Sequence, residues 1–376
     1  MQADEQIELL EELLGLRRDR AAFLDDAARR SPAGRYTDAA LFAAEREKIF
    51  RATPLAVAHV SELAEDGAFL RCEVAGAPII LTRDREGEIH AFYNVCRHRG
   101  ARLVEADQGC RHRFTCPYHA WTWDNQGRLI GVPHQAQGFP DLDKADYGLK
   151  RVNVAVRFGW VWAQLDGEMD IDAFLAPVAA DLAWLGMEDH VIHASDTQEW
   201  RANWKIIAEG GLESYHFRVA HANTVGGLFH DNLSSYQMKG PHIRSILARN
   251  TIDELVEKPR DQWAIRKHTN VLYSLFPNLS LLAQADHVAA ILSSALAVDR
   301  TSMRIITLIP KTDATEDRAD WWGRNHGFTL KTLKEDFEIG EAIQSGLGHG
   351  VNDALTFGRF EGALHAFNEV VSQRLT

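Results

Sequence analysis

The first fifty residues carry apolar side chains at helical spacing. Between residues 4 and 17 these recur every three or four positions, with glutamates between them: Ile7, Leu10, Leu13 and Leu14. This period predicts an amphipathic helix, and a second, shorter helix is expected over residues 38–50. We interpret residues 1–48 as helices that pack on the domain formed by residues 166–376 and carry no chemistry of their own.

From about residue 50 the pattern changes to that of strands. Short alternating or apolar runs cover residues 69–74, 78–83 and 151–164, and turns that contain glycine separate the earlier runs. Runs of this kind between turns are typical of an all-β domain. We place this domain at residues 49–165.

The remainder, residues 166–376, mixes the two periods. Helices are predicted over 204–221, 331–347 and 360–375. Strands are predicted over 271–282 and 289–310, the second turning at Asp299-Arg300. Strands grouped together and followed by helices favour an α+β fold over alternating βαβ units.

Composition limits the function. The 41 basic and 53 acidic residues give a net charge of −12, so we expect neither nucleic acid nor an anionic membrane as a partner. No run approaches the roughly 18 apolar residues that cross a bilayer, and the acidic N-terminus lacks a signal-peptide pattern, which predicts a cytoplasmic protein. Four cysteines are too few for a disulfide scaffold.

Cysteines and histidines coincide in two short segments, Cys96-Arg-His98 and Cys116-Pro-Tyr-His119. Thiolates with imidazoles suit zinc or an iron–sulfur cluster. Each segment offers one cysteine and one histidine, which allows both cysteines to bind one iron and both histidines the other, as in a Rieske [2Fe–2S] cluster. A structural zinc site is the alternative. Cys72 and Cys110 lie outside the pattern, and we assign them structural roles.

A second set of potential ligands follows at Glu213-Ser-Tyr-His216, with His221 five residues later. On a regular helix that spacing separates two histidines by about 140°, so both can bind one ion only if the helix ends or widens between them. Two histidines and one carboxylate form the facial triad of oxygen-activating non-haem iron. The alternative is a pair of structural histidines.

The third ligand is sought on the helix predicted over 331–347. Its apolar stripe comprises Leu333, Ile339, Gly340, Ile343 and Leu347. Asp336 falls near the centre of that stripe, whereas Glu335, Glu338 and Glu341 fall on the opposite side. A carboxylate among core positions is costly unless it is paired or bound to metal, so Asp336 is the best candidate. An exposed end of the helix is the alternative.

With these motifs the sequence resembles the α subunits of Rieske non-haem iron oxygenases, the ring-hydroxylating dioxygenase and carnitine/choline monooxygenase-like family. The likeness extends from about Tyr36 to Phe367. Its motifs are Asn94-Val-Cys-Arg-His-Arg-Gly100, Cys116-Pro-Tyr-His-Ala-Trp-Thr, Asn203-Trp-Lys, Glu213-Ser-Tyr-His and Glu335-Asp-Phe-Glu-Ile-Gly-Glu-Ala-Ile-Gln344.

The resemblance implies an all-β Rieske domain and a helix-grip catalytic domain, an antiparallel sheet with long helices, at 166–376. It assigns four [2Fe–2S] ligands: Cys96, His98, Cys116 and His119. It assigns three ligands of mononuclear Fe(II): His216, His221 and Asp336. Glu213 would be the bridging carboxylate between His216 and a cluster histidine of a neighbouring subunit, although the family more often has Asp there. Gly210 stands where many members have Asn.

The family further implies an oxidoreductase that activates O2 with electrons from NADH or NADPH, delivered by a separate reductase, with or without a ferredoxin. It implies a homotrimer, with or without a β subunit. Our first choice of substrate is an aromatic compound, and the alternative is a quaternary ammonium or N-methyl compound. Candidate pocket residues are Tyr215, Phe217, Phe229, Tyr236 and Trp263. Two other classes compete, a Rieske electron carrier and a zinc-stabilised binding protein.

Overall fold

A computed structural model describes residues 1–376 and divides them into two compact units. Phe50–Ile171 form one, here called the inserted unit. Met1–Ile49 and Asp172–Thr376 together form the other, here called the main unit. The bounds of 49–165 expected for the all-β domain differ from those of the inserted unit by one residue at the start and six at the end.

The inserted unit consists of three antiparallel sheets. In order across each sheet, the strands are Asn153–Arg157, Trp160–Gln164 and Leu55–His59; Ile89–Tyr93, Ala77–Arg83, Ala68–Val74 and Gln108–Cys110; and Arg113–Thr115, Thr122–Asp124 and Leu129–Gly131. Its helical segments are short, at Val60–Leu63, Gln135–Gly138 and Lys144–Tyr147. A buried aromatic cluster that includes Phe92, Phe114, Trp121 and Trp123 fills the core. The prediction of an all-β domain is confirmed.

A seven-stranded antiparallel sheet forms the framework of the main unit. Its order is His190–Trp200, Arg300–Pro310, Val288–Ala297, Leu279–Ala283, Thr269–Leu275, His242–Arg249 and Phe229–Lys239. Arg29–Pro32 and Ala354–Phe357 form a separate pair. The hairpin expected at Asp299-Arg300 is confirmed.

Helices surround this sheet. The α-helices are Ala3–Asp19, Gly34–Thr37, Ala39–Glu45, Ile171–Leu175, Ala179–Leu185, Trp204–Gly210, Phe217–Ala220, Ile265–His268, Ala319–Gly348 and Gly362–Leu375, and Arg46–Phe50 forms a π-helical turn. Shorter 3₁₀ segments are Ala176–Val178, Met187–Asp189, Asn250–Glu257, Arg260–Gln262, Lys311–Asp313, Glu316–Arg318 and Arg359–Glu361. None of the helices combines the length and apolarity required to cross a membrane.

The long helix Ala319–Gly348 packs on the sheet through Phe337, which joins Met303 and Ile305 in one buried cluster. At Gly340 a β-carbon would lie 3.3 Å from Ile207 Cδ1, so the absence of a side chain lets this helix approach Trp204–Gly210 closely. An antiparallel sheet with packed helices confirms the α+β expectation.

The Asn203-Trp-Lys motif fixes the start of the helix Trp204–Gly210. The Asn203 side chain accepts a hydrogen bond from Lys205 N and so caps the helix. Trp204 Nε1 and Lys205 Nζ both donate to the carboxylate of Glu45, at 2.8 and 2.5 Å. The side chains of Lys205 and Glu45 are 1% and 0% exposed, so a buried ion pair joins this helix to the N-terminal segment.

Three sequence predictions were wrong in detail. The helix predicted over 204–221 ends at Gly210 and gives way to turns. The strand predicted over 271–282 is two strands, because a turn at Phe276-Pro277 separates Thr269–Leu275 from Leu279–Ala283. The strands at 190–200, 229–239 and 242–249 were not predicted, and the second of them is largely polar.

Candidate metal centres and cavity

The two Cys–His segments of the inserted unit adopt similar turns. Gly100 N donates to Cys96 O, and Ala120 N donates to Cys116 O, at 2.9 and 3.0 Å. Gly100 and Ala120, which close the two turns, both lie in the left-handed region, with φ of 77° and 57°. The two cysteines therefore open equivalent turns, and the histidine stands two residues after the cysteine in the first turn and three residues after it in the second.

The four side chains of these turns come together. The Cys96 and Cys116 thiols are buried and in contact, and burial raises the pKa of the Cys96 thiol. The rings of His98 and His119 lie 4.8 Å apart, and Trp121 stacks on His98 at 4.7 Å. Burial, together with His119 and Arg99, lowers the pKa of His98, which favours the neutral imidazole that binds metals.

One atom tests whether these residues fit a metal group. His98 Nδ1 is buried and makes no hydrogen bond. Leaving a buried polar atom without a partner costs about 1–3 kcal/mol, and a metal ion would remove that cost by accepting the nitrogen lone pair. Two thiols and two imidazoles fit a Rieske [2Fe–2S] cluster, and by donor type alone they also fit zinc.

In the main unit, His216 and His221 stand at the two ends of the one-turn helix Phe217–Ala220, here called the histidine turn. His221 N donates to Phe217 O at 3.1 Å, which closes this turn. Because the regular helix has already ended at Gly210, the 140° separation expected for a continuous helix does not apply. Both imidazoles consequently point to the same place.

Asp336, from the long helix, completes a compact triad. Its Oδ1 lies 3.3 Å from His216 Nε2 and 3.0 Å from His221 Nε2, and the two nitrogens lie 3.2 Å apart. Ligands at right angles around a metal with bonds of about 2.1 Å are roughly 3 Å from each other. The three separations are those of a facial triad, so the residues fit mononuclear iron.

Two carboxylates orient the imidazoles from behind. Glu213 Oε1 accepts a hydrogen bond from His216 Nδ1, and Glu335 Oε2 accepts one from His221 Nδ1 at 2.8 Å and from Thr224 Oγ1 at 2.5 Å. With both Nδ1 atoms donating, each Nε2 lone pair faces Asp336. Carboxylates in this position fix the ring orientation and raise ligand basicity.

The electrostatics of the triad favour a cation. Burial opposes protonation of His216, but hydrogen bonds to Asp336 and Glu213 outweigh it and raise its pKa to about 10. Burial likewise opposes protonation of His221, and Asp336 with Glu335 raises its pKa. Burial raises the pKa of Asp336, but the two histidines outweigh it and lower that pKa. The site thus attracts positive charge, which a divalent metal would supply.

The long helix places Asp336 beside the two histidines, but the expectation for its neighbours was wrong. Glu335, expected on the opposite side, contacts His221. Ile339 and Ile343, expected in the core, are 44% and 38% exposed. The buried face carries instead Phe337, Gly340, Gln344 and Leu347. The contact of Glu335 with His221 could not be predicted from local sequence, because His221 lies 114 residues earlier in the chain.

The triad opens on a cavity of about 300 Å³. Most of its lining is apolar, and four phenylalanines contribute: Phe217, Phe229, Phe328 and Phe337. Of the five aromatic candidates from the sequence, Phe217 and Phe229 therefore line the cavity. The other three lie elsewhere. Tyr215 is 54% exposed and packs on Phe360, the Tyr236 hydroxyl donates to Asp25, and Trp263 Nε1 donates to Lys258 O.

The comparisons with known proteins fit both sites. The family described as "Ring hydroxylating alpha subunit (catalytic domain)" matches residues 183–376, and the family described as "Rieske [2Fe-2S] domain" matches residues 53–153. The [2Fe–2S] cluster and mononuclear iron expected as cofactors follow from these two matches, and zinc is no longer needed to explain the first site.

Curated relatives include mono- and dioxygenase subunits. The glycine betaine monooxygenase oxygenase subunit of Chromohalobacter salexigens is 31% identical over 74% of this chain and 60% of its own length. The anthranilate 1,2-dioxygenase large subunit of Acinetobacter baylyi is 34% identical over 52% of this chain and 43% of its own length. The matched part of the chain thus spans about half the length of these relatives.

Solved structures show the same fold. A quaternary ammonium Rieske monooxygenase in complex with L-carnitine superposes with a TM-score of 0.78 at 24% identity, covering 93% of this chain and 97% of that one. Naphthalene 1,2-dioxygenase from Rhodococcus sp. superposes with a TM-score of 0.76 at 22% identity, covering 98% of each chain. Its motifs, its fold and the matched domains show that the chain belongs to the ring hydroxylating alpha subunit family.

Proposed function

We propose that the chain is the terminal oxygenase component of a Rieske non-haem iron oxygenase system that hydroxylates a small organic substrate. The observation that carries this proposal is the triad of His216, His221 and Asp336, whose ligand atoms converge at facial spacing on an apolar cavity. A simple electron carrier has no use for a second metal site with an adjoining cavity.

In this proposal each site holds one cofactor. The mononuclear iron would be held by His216, His221 and Asp336. The [2Fe–2S] cluster would be held by Cys96, His98, Cys116 and His119. When bound, the cluster supplies single electrons and the iron activates O2.

Glu213 is proposed as the bridging carboxylate. Its Oε1 contacts His216 Nδ1, and its Oε2 accepts hydrogen bonds from the backbone N–H groups of Tyr215 and His216. These contacts fix the carboxylate beside the iron ligand. We propose that its other neighbour is a cluster histidine of an adjacent subunit in a homotrimer.

Electrons would come from NADH or NADPH through a separate reductase, with or without a ferredoxin. Either product type requires two electrons from the nicotinamide. Hydroxylation of a C–H bond places one oxygen atom in the product and releases the other as water. Dihydroxylation of an aromatic ring retains both oxygen atoms and takes up two protons.

An aromatic substrate is our first choice because four phenylalanines line the cavity. Aromatic rings favour such surroundings through offset or edge-to-face contacts. A quaternary ammonium or N-methyl substrate is the second candidate, because the similarity to a glycine betaine monooxygenase subunit covers 74% of the chain. Phenylalanine faces can also hold an organic cation, although less strongly than tryptophan.

The test compares His216→Ala with His134→Ala, in which an exposed histidine of the inserted unit is replaced. Both proteins are purified with iron and sulfide, and reduced-cluster spectra, O2 uptake and products are measured over aromatic and N-methyl compounds. We expect both variants to keep the cluster spectrum and only His216→Ala to lose substrate-dependent uptake. Full substrate-dependent uptake by His216→Ala would show that this triad does not activate oxygen, and an intact cluster without substrate-dependent uptake in any of the proteins would identify an electron carrier instead.

A further inference from the structure

The cavity lining contains one arginine and no lysine; the arginine is Arg249, at the end of the strand His242–Arg249. Arg249 Nη2 donates to Asn270 Oδ1 and to Gln284 Oε1, both at 2.6 Å. Nε is buried without a partner, and Nη1 makes no hydrogen bond within the chain. The guanidinium therefore has unused donors, and the two acceptors it does have are neutral amides.

No carboxylate of the cavity lining is available to Arg249. Among the lining residues the only acid is Asp336, which both triad histidines contact. Asp286 lies outside the lining and is engaged by His287 at 2.7 Å and by Trp321. Burial lowers the pKa of Arg249, and Asp286 raises it only by its more distant charge.

Arg244, five residues earlier on the same strand, shows how this fold treats a buried arginine that serves structure. Its guanidinium is paired with two carboxylates, Asp181 at 3.0 Å and Glu5 at 2.7 Å. A buried charge is costly unless it is paired. The chain pairs the charge of Arg244 with two carboxylates, although its Nε also lacks a partner, whereas the partners of Arg249 are neutral amides. Arg249 lines the cavity, so an anion bound there can reach its unused donors.

Two phenyl rings lie between Arg249 and the triad. The guanidinium lies 5.9 Å from the centre of the Phe229 ring, which packs edge-to-face on Phe217 at 5.4 Å. Phe217 in turn contacts the rings of His216 and His221 at 4.9 and 5.2 Å. A molecule held by Arg249 would therefore lie along an apolar surface and present its far end to the triad.

We propose that the substrate carries a carboxylate, that Arg249 binds this carboxylate, and that the oxidised carbon lies at the opposite, apolar end of the molecule. Guanidinium donors match carboxylate acceptors in charge and geometry. An organic cation without an acidic group, such as choline, is excluded, whereas an aromatic acid or a zwitterionic betaine is allowed. This inference rests on the proposed oxygenase function and narrows its substrate class.

The test measures binding separately from turnover. Calorimetry of the iron-loaded protein uses two pairs of probes, 4-methylbenzoate with its neutral amide 4-methylbenzamide, and glycine betaine with choline. The variants are Arg249→Gln, which removes the charge, and Arg249→Lys, which keeps it. Arg304→Gln is the matched control, because Arg304 lies on a strand of the same sheet, donates to Ser195 and does not line the cavity. Thermal unfolding confirms that each variant is folded.

We expect the acid of at least one pair to bind the wild-type protein at least tenfold more tightly than its partner without a carboxylate. Because hydrogen bonds to a charged group are lost, we expect Arg249→Gln to weaken the binding of that acid about 10- to 100-fold. Arg249→Lys should weaken its binding less. Arg304→Gln should bind it as the wild type does. Equal binding of acids and their partners, unchanged binding of acids to folded Arg249→Gln, or no binding of any acid would overturn the inference.

Oxygen uptake distinguishes this inference from the proposed function. Acids that bind through Arg249 but stimulate neither oxygen uptake nor product formation would contradict the oxygenase function and leave the anion site in place. Turnover of toluene or choline that does not change in Arg249→Gln would leave the oxygenase in place and refute the anion site.

Discussion

In the inserted unit the four candidate cluster ligands come from two similar turns between residues 96 and 119, whereas in the main unit the candidate iron ligands come from the histidine turn and from a distant helix. His98 Nδ1 lacks a partner, but the Nδ1 atoms of His216 and His221 already contact Glu213 and Glu335. The first site thus needs its cofactor to give the buried His98 nitrogen a partner. In the second site, carboxylates of the protein already hold the two histidine rings in place. The two sites should respond differently to loss of their metals.

The largest effect is expected at the cluster. Cys96→Ser removes a buried thiol that we propose as a cluster ligand, so we expect complete loss of the visible cluster spectrum and of activity, with a lower unfolding temperature of the inserted unit. Cys110→Ser, which changes an exposed cysteine outside the ligand set, is the control.

Chelation of iron from the main unit should lower its unfolding temperature much less than loss of the cluster lowers that of the inserted unit. Scanning calorimetry with metal analysis measures both shifts. A larger shift on iron removal would reverse the contrast between the sites.

A smaller effect is expected from the carboxylate behind His221. Glu335→Gln keeps the size of the side chain but removes its charge, so His221 is held and polarised less strongly. Loss of such an outer partner typically lowers metal affinity or activity 10- to 100-fold, and we expect weaker iron retention by that factor with an unchanged cluster spectrum. Glu338→Gln, on the exposed face of the same helix, should have no effect. Equal iron content in both variants after dialysis would refute the role of Glu335.

A third effect, comparable in free energy, concerns acid stability, and it tests whether the metal site or the sheet limits the stability of the main unit. His242 is fully buried; its Nε2 faces Phe174 O and its Nδ1 accepts from Phe276 N. Burial lowers its pKa to about 4. The unfolded chain takes up this proton near pH 6.5, before the folded one does, so stability is retained above pH 6.5 and falls by about 3 kcal/mol as the pH decreases to 4.

His242→Gln preserves a donor and an acceptor but does not titrate. Urea unfolding at pH 7 and pH 5 should therefore show a smaller loss of stability in this variant than in the wild type, whereas exposed His134→Gln should behave as the wild type. If all three proteins lose stability equally between these values, His242 is not responsible and the acid sensitivity lies elsewhere, the triad included.

The same contrast explains what could be predicted from the sequence. The candidate cluster ligands stand in two short segments with a fixed order of cysteine and histidine, so local spacing alone indicates a metal site. Asp336 could be found because it interrupts an apolar stripe, although Ile339 and Ile343 in that stripe proved to be exposed. Its neighbour Glu335 could not be found, because its role depends on the contact with His221 across the fold.

Other misses have the same physical origin. The helical period continues through residues 204–221, but the chain leaves the helix at Gly210 and re-forms a single turn between the two histidines. Tyr215 has the chemistry of a pocket residue, yet its side chain is directed to Phe360 and solvent. The environment of Arg249 could not be predicted either, because a single arginine in a strand does not show which side chains it contacts.

The buried pair of Glu45 and Lys205 has a consequence for the order of events during synthesis. Glu45 leaves the ribosome 160 residues before Lys205, and the whole inserted unit lies between them. At a rate of synthesis of about 5–20 residues per second, Lys205 is added roughly 8–30 s after Glu45. The contiguous inserted unit is complete before that time. We therefore expect ribosome-bound chains that end near residue 210 to protect the inserted unit from protease while residues 1–49 remain susceptible. Protection of residues 1–49 in such chains would contradict this order.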